Sequence, residues 1–204
     1  MAYTREDIFR MVEEEDVEFI RLQFTDIYGN LKNMAVTSSQ LEKALDGKCS
    51  FDASGIEDYS SEMDNTMYLK PDLSTFAIFP WRPQQGKVAR FFCDVYTTDG
   101  KPYEGDSRLV LRKAIAKAKE MGYEFNVGPE CEFFLFNTDE NALPTTSTNE
   151  KAGYFECGPV DFGENARRDI VLTLEQMNFT VESSHHEMAP AQHEVDFQYG
   201  EALR

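Results

Sequence analysis

Two stretches, Gly128-Pro129-Glu130-Cys131-Glu132-Phe133-Phe134-Leu135-Phe136 and His185-His186-Glu187-Met188-Ala189-Pro190-Ala191-Gln192-His193-Glu194, decide how this chain is read. A β-strand sends residues i and i+2 to one face, so Glu130 and Glu132 point into the same space while Cys131 and Phe133 face away. Carboxylates packed side by side and shielded from water repel one another unless a cation lies between them. Mg²⁺ or Mn²⁺ takes oxygen ligands and bridges carboxylates to phosphate oxygens, so the pair predicts a hard-metal site. Glu187 and Glu194 bracket a six-residue connection containing Pro190, which predicts a broad hairpin with the two carboxylates facing each other.

Towards the amino terminus, Thr4 with Asp7 three residues on, followed by Ile8, Met11 and Val12 at helical spacing, predicts a capped helix ending in Glu13-Glu14-Glu15-Asp16. Residues 17–25 alternate as a half-buried strand, Tyr28-Gly29-Asn30 turns the chain, and 31–36 return as the second arm of a hairpin. A helix over 39–45 and strands over 76–79 and 88–97, the last turning at Asp99-Gly100, complete a small α+β domain ending near 102–105. A helix over 107–121, stopped by Gly122, opens a second domain. Strands over 125–136, 180–187 and 194–199 with a helix over 164–177 predict a sheet backed by helices, and the polar stretch 137–151 reads as a mobile surface loop. The expected fold class is α+β, with domains 1–105 and 106–204. The sequence stops just after the last strand, leaving a sheet edge unpaired, and a truncated second domain is the expectation.

With 37 acidic against 20 basic residues the formal charge is −17, which excludes nucleic acid and anionic membrane as natural partners because both need basic patches. The four cysteines, Cys49, Cys93, Cys131 and Cys157, form no C-x-x-C pair and predict free thiols in a reducing compartment. With no signal-like amino terminus and no membrane-length apolar run, the expected location is the cytoplasm.

The glutamate motifs, together with Tyr3-Thr4-Arg5-Glu6-Asp7-Ile8, Tyr68-Leu69-Lys70-Pro71-Asp72, Gly86-Lys87-Val88-Ala89-Arg90-Phe91 and Gly153-Tyr154-Phe155, closely resemble the amino-terminal half of type I glutamine synthetases of the Gram-positive branch. Family members are about twice as long. The resemblance implies a small β-grasp-like amino-terminal domain followed by the first part of the catalytic domain, an antiparallel sheet with helices. It implies ATP-dependent ligation of ammonia to glutamate with Mg²⁺ or Mn²⁺, in a homo-oligomer that in this family is a dodecamer. By the same resemblance Glu130 holds the metal at the γ-phosphate of ATP, Glu132, Glu187 and Glu194 hold the metal beside the substrate glutamate, and Glu182 contacts the nucleotide. Asp52, in Phe51-Asp52-Ala53-Ser54-Gly55-Ile56-Glu57, matches an aspartate supplied to a neighbouring subunit, where it helps deprotonate ammonium; a turn or N-cap aspartate is the alternative. Two other readings stay open: an inactive truncated relative acting as an oligomer-interaction or regulatory module, and a sibling ligase acting on a different amine.

Several residues depart from the family pattern. Gly55 stands for a serine, Ser61 for an arginine, Thr66 for an acidic residue, Cys131 for a proline and Ala191 for a glycine. If position 191 requires a positive φ, its methyl group strains the turn. All three histidines lie in the second motif. Adjacent strand residues face opposite ways, so His185 and His186 do not share one metal; one is expected to hold a carboxylate or phosphate and the other to pack. Arg167 and Arg168, on an amphipathic helix, are expected to face solvent.

Overall fold

A computed structural model describes residues 3–57, 59, 65–81 and 86–203; Ser61 lies outside the described residues. The chain divides into two compact units, Met1–Phe125 with Ala202–Arg204, and Asn126–Glu201.

In the first unit, α1 (Arg5–Glu14) starts on the expected capping box: Thr4 and Asp7 exchange side-chain-to-backbone hydrogen bonds. Strands β1 (Val17–Thr25) and β2 (Leu31–Thr37) form the expected hairpin, in register from Phe19 opposite Thr37 to Thr25 opposite Leu31. Its turn is tied by Asp26, whose carboxylate accepts the backbone N–H groups of Tyr28 and Asn30, while Gly29 supplies the positive φ of 82°. After the short α2 (Leu41–Leu45) come β3 (Cys49–Asp52), β4 (Thr66–Pro71), β5 (Ala77–Ile78) and β6 (Lys87–Thr97). The sheet order is β2-β1-β6-β4-β3, with β5 on β6; β1 and β6 run parallel and the other pairs antiparallel. Ile20, Leu22 and Phe24 point at every second position of β1 into a core shared with Ile8 and Val12 of α1, Leu41 of α2, Leu69 of β4 and Phe91 and Val95 of β6.

Helix α3 (Ser107–Glu120) is capped by Asp106, which accepts from the Arg108 backbone N–H. Its Arg108 reaches Asp72 at 2.6 Å and Asp94 at 2.9 Å, and Arg112 reaches Asp94 at 2.9 Å. These ion pairs bind α3 to the β-sheet unit, which therefore extends to Phe125.

The second unit contains β7 (Asn126–Val127), β8 (Glu130–Phe134), α4 (Glu164–Gln176), β9 (Val181–His186), β10 (Gln192–Phe197) and β11 (Gly200–Glu201). The strand expected over 125–136 is two strands broken at Gly128-Pro129, because proline has no N–H to give to a ladder. Pro129 serves as acceptor only, taking the Phe197 N–H at 3.1 Å. β7 pairs with β11, and the main sheet has the order β8-β10-β9, antiparallel throughout.

Replacing Arg108 by alanine should destabilise the first unit by about 2 kcal/mol, because two half-buried aspartates lose a charged hydrogen-bond donor. The check is the shift of the urea unfolding midpoint against Lys117→Ala, whose ion pair with Glu120 is exposed and should cost nothing measurable.

Candidate metal centre

Register in the β8-β10-β9 sheet sorts every side chain of the glutamate motifs. Directly opposed residues in antiparallel strands share a face. Glu132 is opposite Glu194, which is opposite His185; Glu130 is opposite Asp196, which is opposite Ser183. These six residues, with Glu187 two positions beyond His185, belong to one face. Cys131, Phe133, His193, Val195, Ser184 and His186 belong to the other.

On the acidic face, His185 Nε2 lies 2.8 Å from Glu187 Oε1 and 3.3 Å from Glu194 Oε2, while its Nδ1 is 3.8 Å from Asp196. Oxygen atoms of Glu130, Glu194 and Asp196 form a second close set, within 4.8 Å of one another. Glu132 is exposed on the same face, and its carboxylate accepts from the Gln192 amide. Burial first, then hydrogen bonding to Glu187 and Asp196 and the Asp196 charge, push the Glu194 carboxyl up to about 7. The hydrogen bond with His185 holds Glu187 below the usual carboxylate range. A set of carboxylate oxygens this close together is of the type that can hold a hard divalent cation.

His185 holds a carboxylate, as expected of one of the two neighbouring histidines. The ring of Phe155 stacks on it at 4.6 Å, with its own backbone at a positive φ of 59°. His186 does more than pack. It is fully buried, with Nε2 2.5 Å from Glu150 Oε1 and Nδ1 2.6 Å from the Glu187 carbonyl. Burial opposes charge on this ring, but the two oxygen acceptors outweigh it and hold its pKa above the ordinary value. Beside it, His193 Nδ1 accepts from Arg167 Nη1 at 2.8 Å, which places the ring proton on Nε2. Arg167 also donates to Asp161 Oδ2 at 2.7 Å. The expectation that Arg167 faces solvent is thus corrected: Asp161, in the loop before α4, supplies a buried counter-charge that helical periodicity does not reveal. Arg168 is solvent-exposed.

The loop over 137–151 is exposed for most of its length but ends in Glu150, whose side chain is buried. Ala191 has a positive φ of 58°, so the turn does hold an alanine in the left-handed region, at a cost of about 1 kcal/mol. Glu182 is exposed at a bulge where β9 has one residue more than β10 between the Ser183–Asp196 and Val181–Phe197 pairs. In the first unit Asp52 ends β3 with an exposed carboxylate, which accepts the Ser54 backbone N–H at 2.9 Å and so takes the capping role. Gly55 follows in the same 3-10 turn, and Thr66 stands opposite Asp52 at the start of β4.

Two family models cover most of the chain: "Glutamine synthetase, beta-Grasp domain" matches residues 16–98 and "Glutamine synthetase, catalytic domain" matches residues 104–204. The chain belongs to the glutamine synthetase family. The glutamine synthetase of Clostridium saccharobutylicum is 62% identical over 98% of this chain, and that of Staphylococcus aureus strain N315 is 54% identical over 99%. These alignments take in 45% and 46% of the two relatives, so the chain spans about half the length of the curated proteins it matches. Its fold matches Plasmodium falciparum glutamine synthetase with a TM-score of 0.82 at 23% identity, over 100% of this chain and 46% of that one. GmaS solved without ligand matches with a TM-score of 0.83 at 22% identity, over 97% of this chain and 46% of that one. These confirm the α+β architecture with a β-grasp amino-terminal domain.

If the acidic face holds a divalent cation, protons and that cation would compete for the Glu194 carboxylate. Mn²⁺ affinity of the chain should therefore fall by about tenfold per pH unit as pH drops below about 7, and level off above it. Calorimetry in buffers of different ionisation enthalpy should show about one proton released per ion at pH 6.

Proposed function

We propose that this chain contributes its metal face to an ATP-dependent ligase that joins ammonia to glutamate and makes glutamine. The observation that carries the reading is the gathering of Glu130, Glu187, Glu194 and Asp196 oxygens around one face of the β8-β10-β9 sheet. That arrangement occurs in a chain 62% identical to a relative named glutamine synthetase. The identity of these relatives favours an active ligase over an inactive interaction module or a ligase for another amine.

Glu130 would hold Mg²⁺ or Mn²⁺ at the γ-phosphate of ATP, and Glu132, Glu187 and Glu194 would hold a second ion beside the substrate glutamate. A bound divalent cation would neutralise the charge that develops on the transferred phosphoryl group. A side-chain carboxylate oxygen of glutamate attacks the γ-phosphorus and ADP leaves, giving an acyl phosphate; ammonia then attacks the acyl carbon and phosphate departs. Asp52, supplied to a neighbouring subunit, attracts ammonium and accepts its proton; the carboxylate is exposed and ionised, with hydrogen bonds from Ser54 holding its pKa below the usual range. Glu182 would contact the nucleotide. Glutamate, ammonia and ATP are the substrates on this reading, the assembly is a homo-oligomer, and the setting is cytoplasmic. Among the described residues no helix is long and apolar enough to cross a membrane.

The test is glutamine formation from glutamate, ammonia and ATP by a complete protein carrying this sequence. Glu132→Gln and Glu194→Gln should each lower kcat by about 100-fold or more, the scale of losing one charge-stabilising group. Activity unchanged in both variants would sink the metal assignment. Mixed oligomers of Asp52→Asn and Glu132→Gln subunits should regain activity that neither variant has alone; verified mixing without recovery would remove Asp52 from the shared site.

A further inference from the structure

Each of the two glutamates at the ends of the β9–β10 turn follows a buried histidine: His186 precedes Glu187, and His193 precedes Glu194. The histidines point to the face opposite the carboxylates and meet edge to face, with ring centroids 5.0 Å apart. The back of the hairpin is therefore pinned by buried polar groups while its front holds the acidic side chains.

Glu150 is the centre of that pinning. One oxygen, Oε1, meets His186 Nε2 at 2.5 Å and accepts the Ala191 backbone N–H at 2.8 Å; the other, Oε2, accepts the Phe162 backbone N–H at 2.7 Å. The residue stands 36 positions before His186 and 41 before Ala191, so it ties a distant loop to both sides of the turn. Its hydrogen bond to Ala191 falls at the residue with φ of 58°, where an alanine needs outside support to stay. His186 in turn bonds the Glu187 carbonyl, which links Glu150 through one ring to the backbone of a candidate metal ligand.

The four groups Glu150, Asp161, His186 and His193 lie close enough to hold a metal themselves. Arg167 argues against it: its guanidinium already occupies His193 Nδ1 and Asp161, and a cation would face that fixed positive charge. Glu150 has neighbours for both oxygens without any ion.

We infer that Glu150 is a positioning residue that clamps the Glu187–Gln192 turn from behind the sheet and thereby sets the spacing of Glu187 and Glu194 for a divalent cation. The inference rests on the metal reading of the acidic face. Partners one step behind a ligand characteristically change metal affinity by about 10- to 100-fold when removed. An amide at position 150 can accept at only one atom, and its NH₂ group confronts an N–H donor at the other.

The experiment uses the 204-residue chain with Mn²⁺ alone as probe, comparing wild type, Glu150→Gln, Glu150→Asp and Glu194→Gln. Mn²⁺ affinity is read by electron paramagnetic resonance, and backbone order by native-state hydrogen exchange. In Glu150→Gln, affinity should fall by about tenfold or more. The amides of Glu187 and Ala191 should exchange faster while those of Cys131 and Val195, in the β8–β10 ladder, keep their wild-type rates. A merely structural role would instead speed exchange throughout the second unit. If the glutamine variant unfolds that unit, Glu150→Asp, which keeps the charge but shortens the reach, is judged by the same two readouts. Wild-type Mn²⁺ affinity in a folded Glu150 variant, with Glu194→Gln no longer binding, overturns the clamp and leaves the metal centre standing. Absence of Mn²⁺ binding by wild type overturns the metal centre, and the clamp's purpose with it.

Discussion

Carboxylates on neighbouring strands cannot move apart without breaking the ladder that holds them, and the second unit is built around that constraint. Hydrogen bonding fixes Glu132 opposite Glu194 and Glu130 opposite Asp196, so backbone geometry keeps negative charges at close range. Burial first, and then the hydrogen bonds to Glu187 and Asp196 and the Asp196 charge, push the Glu194 carboxyl up to about 7. The His185 ring lies between Glu187 and Glu194, and a cation in the same space would relieve the crowding further.

The opposite face of the sheet is built in a different way, from buried polar groups that pair with one another, although His193 Nε2 and Arg167 Nε find no hydrogen-bond partner among the described residues. His186 and His193 are buried there, and each has a designated partner, Glu150 for the first and Arg167 with Asp161 for the second. Burial raises the cost of each charge, yet paired hydrogen bonds still hold Glu150 and Asp161 below the ordinary carboxylate range. The polar back face occupies the place of an ordinary apolar core, with Phe133 and Val195 its hydrophobic neighbours.

Much of this was legible in the sequence because it depends on periods that residues display locally. The alternation of Ile20, Leu22 and Phe24, the Thr4–Asp7 box and the Glu130–Glu132 pair all act over two to four residues. The same i, i+2 rule extends from Glu194 to Asp196, which joins the acidic face and was open to the same inference. Glu150, Asp161 and Arg167 were not legible in this way. The first two lie in aperiodic polar loops, and an arginine on an amphipathic helix is buried only when a distant carboxylate waits for it. The break at Pro129 was signalled by proline itself, since an uninterrupted strand over 125–136 would have needed its missing N–H. The fold was therefore readable where one element suffices, and the back of the site was hidden where three loops and strands had to meet.

The strict sorting of the two faces gives this sheet a means of rejecting wrong pairings. A slip of one residue between β9 and β10 would carry every side chain to the opposite side. With β10 slipped, Glu194 and Asp196 would be pressed against His186 and Phe133, and His193 would leave Arg167 for the acidic face. Sheets with one oily and one wet face pay for such an error only in lost burial. Here both faces are polar but chemically unlike, so a misaligned hairpin loses the specific Glu150–His186 and Arg167–His193 partners as well as burial, and correct alignment is selected by polar pairing as well as by hydrophobicity.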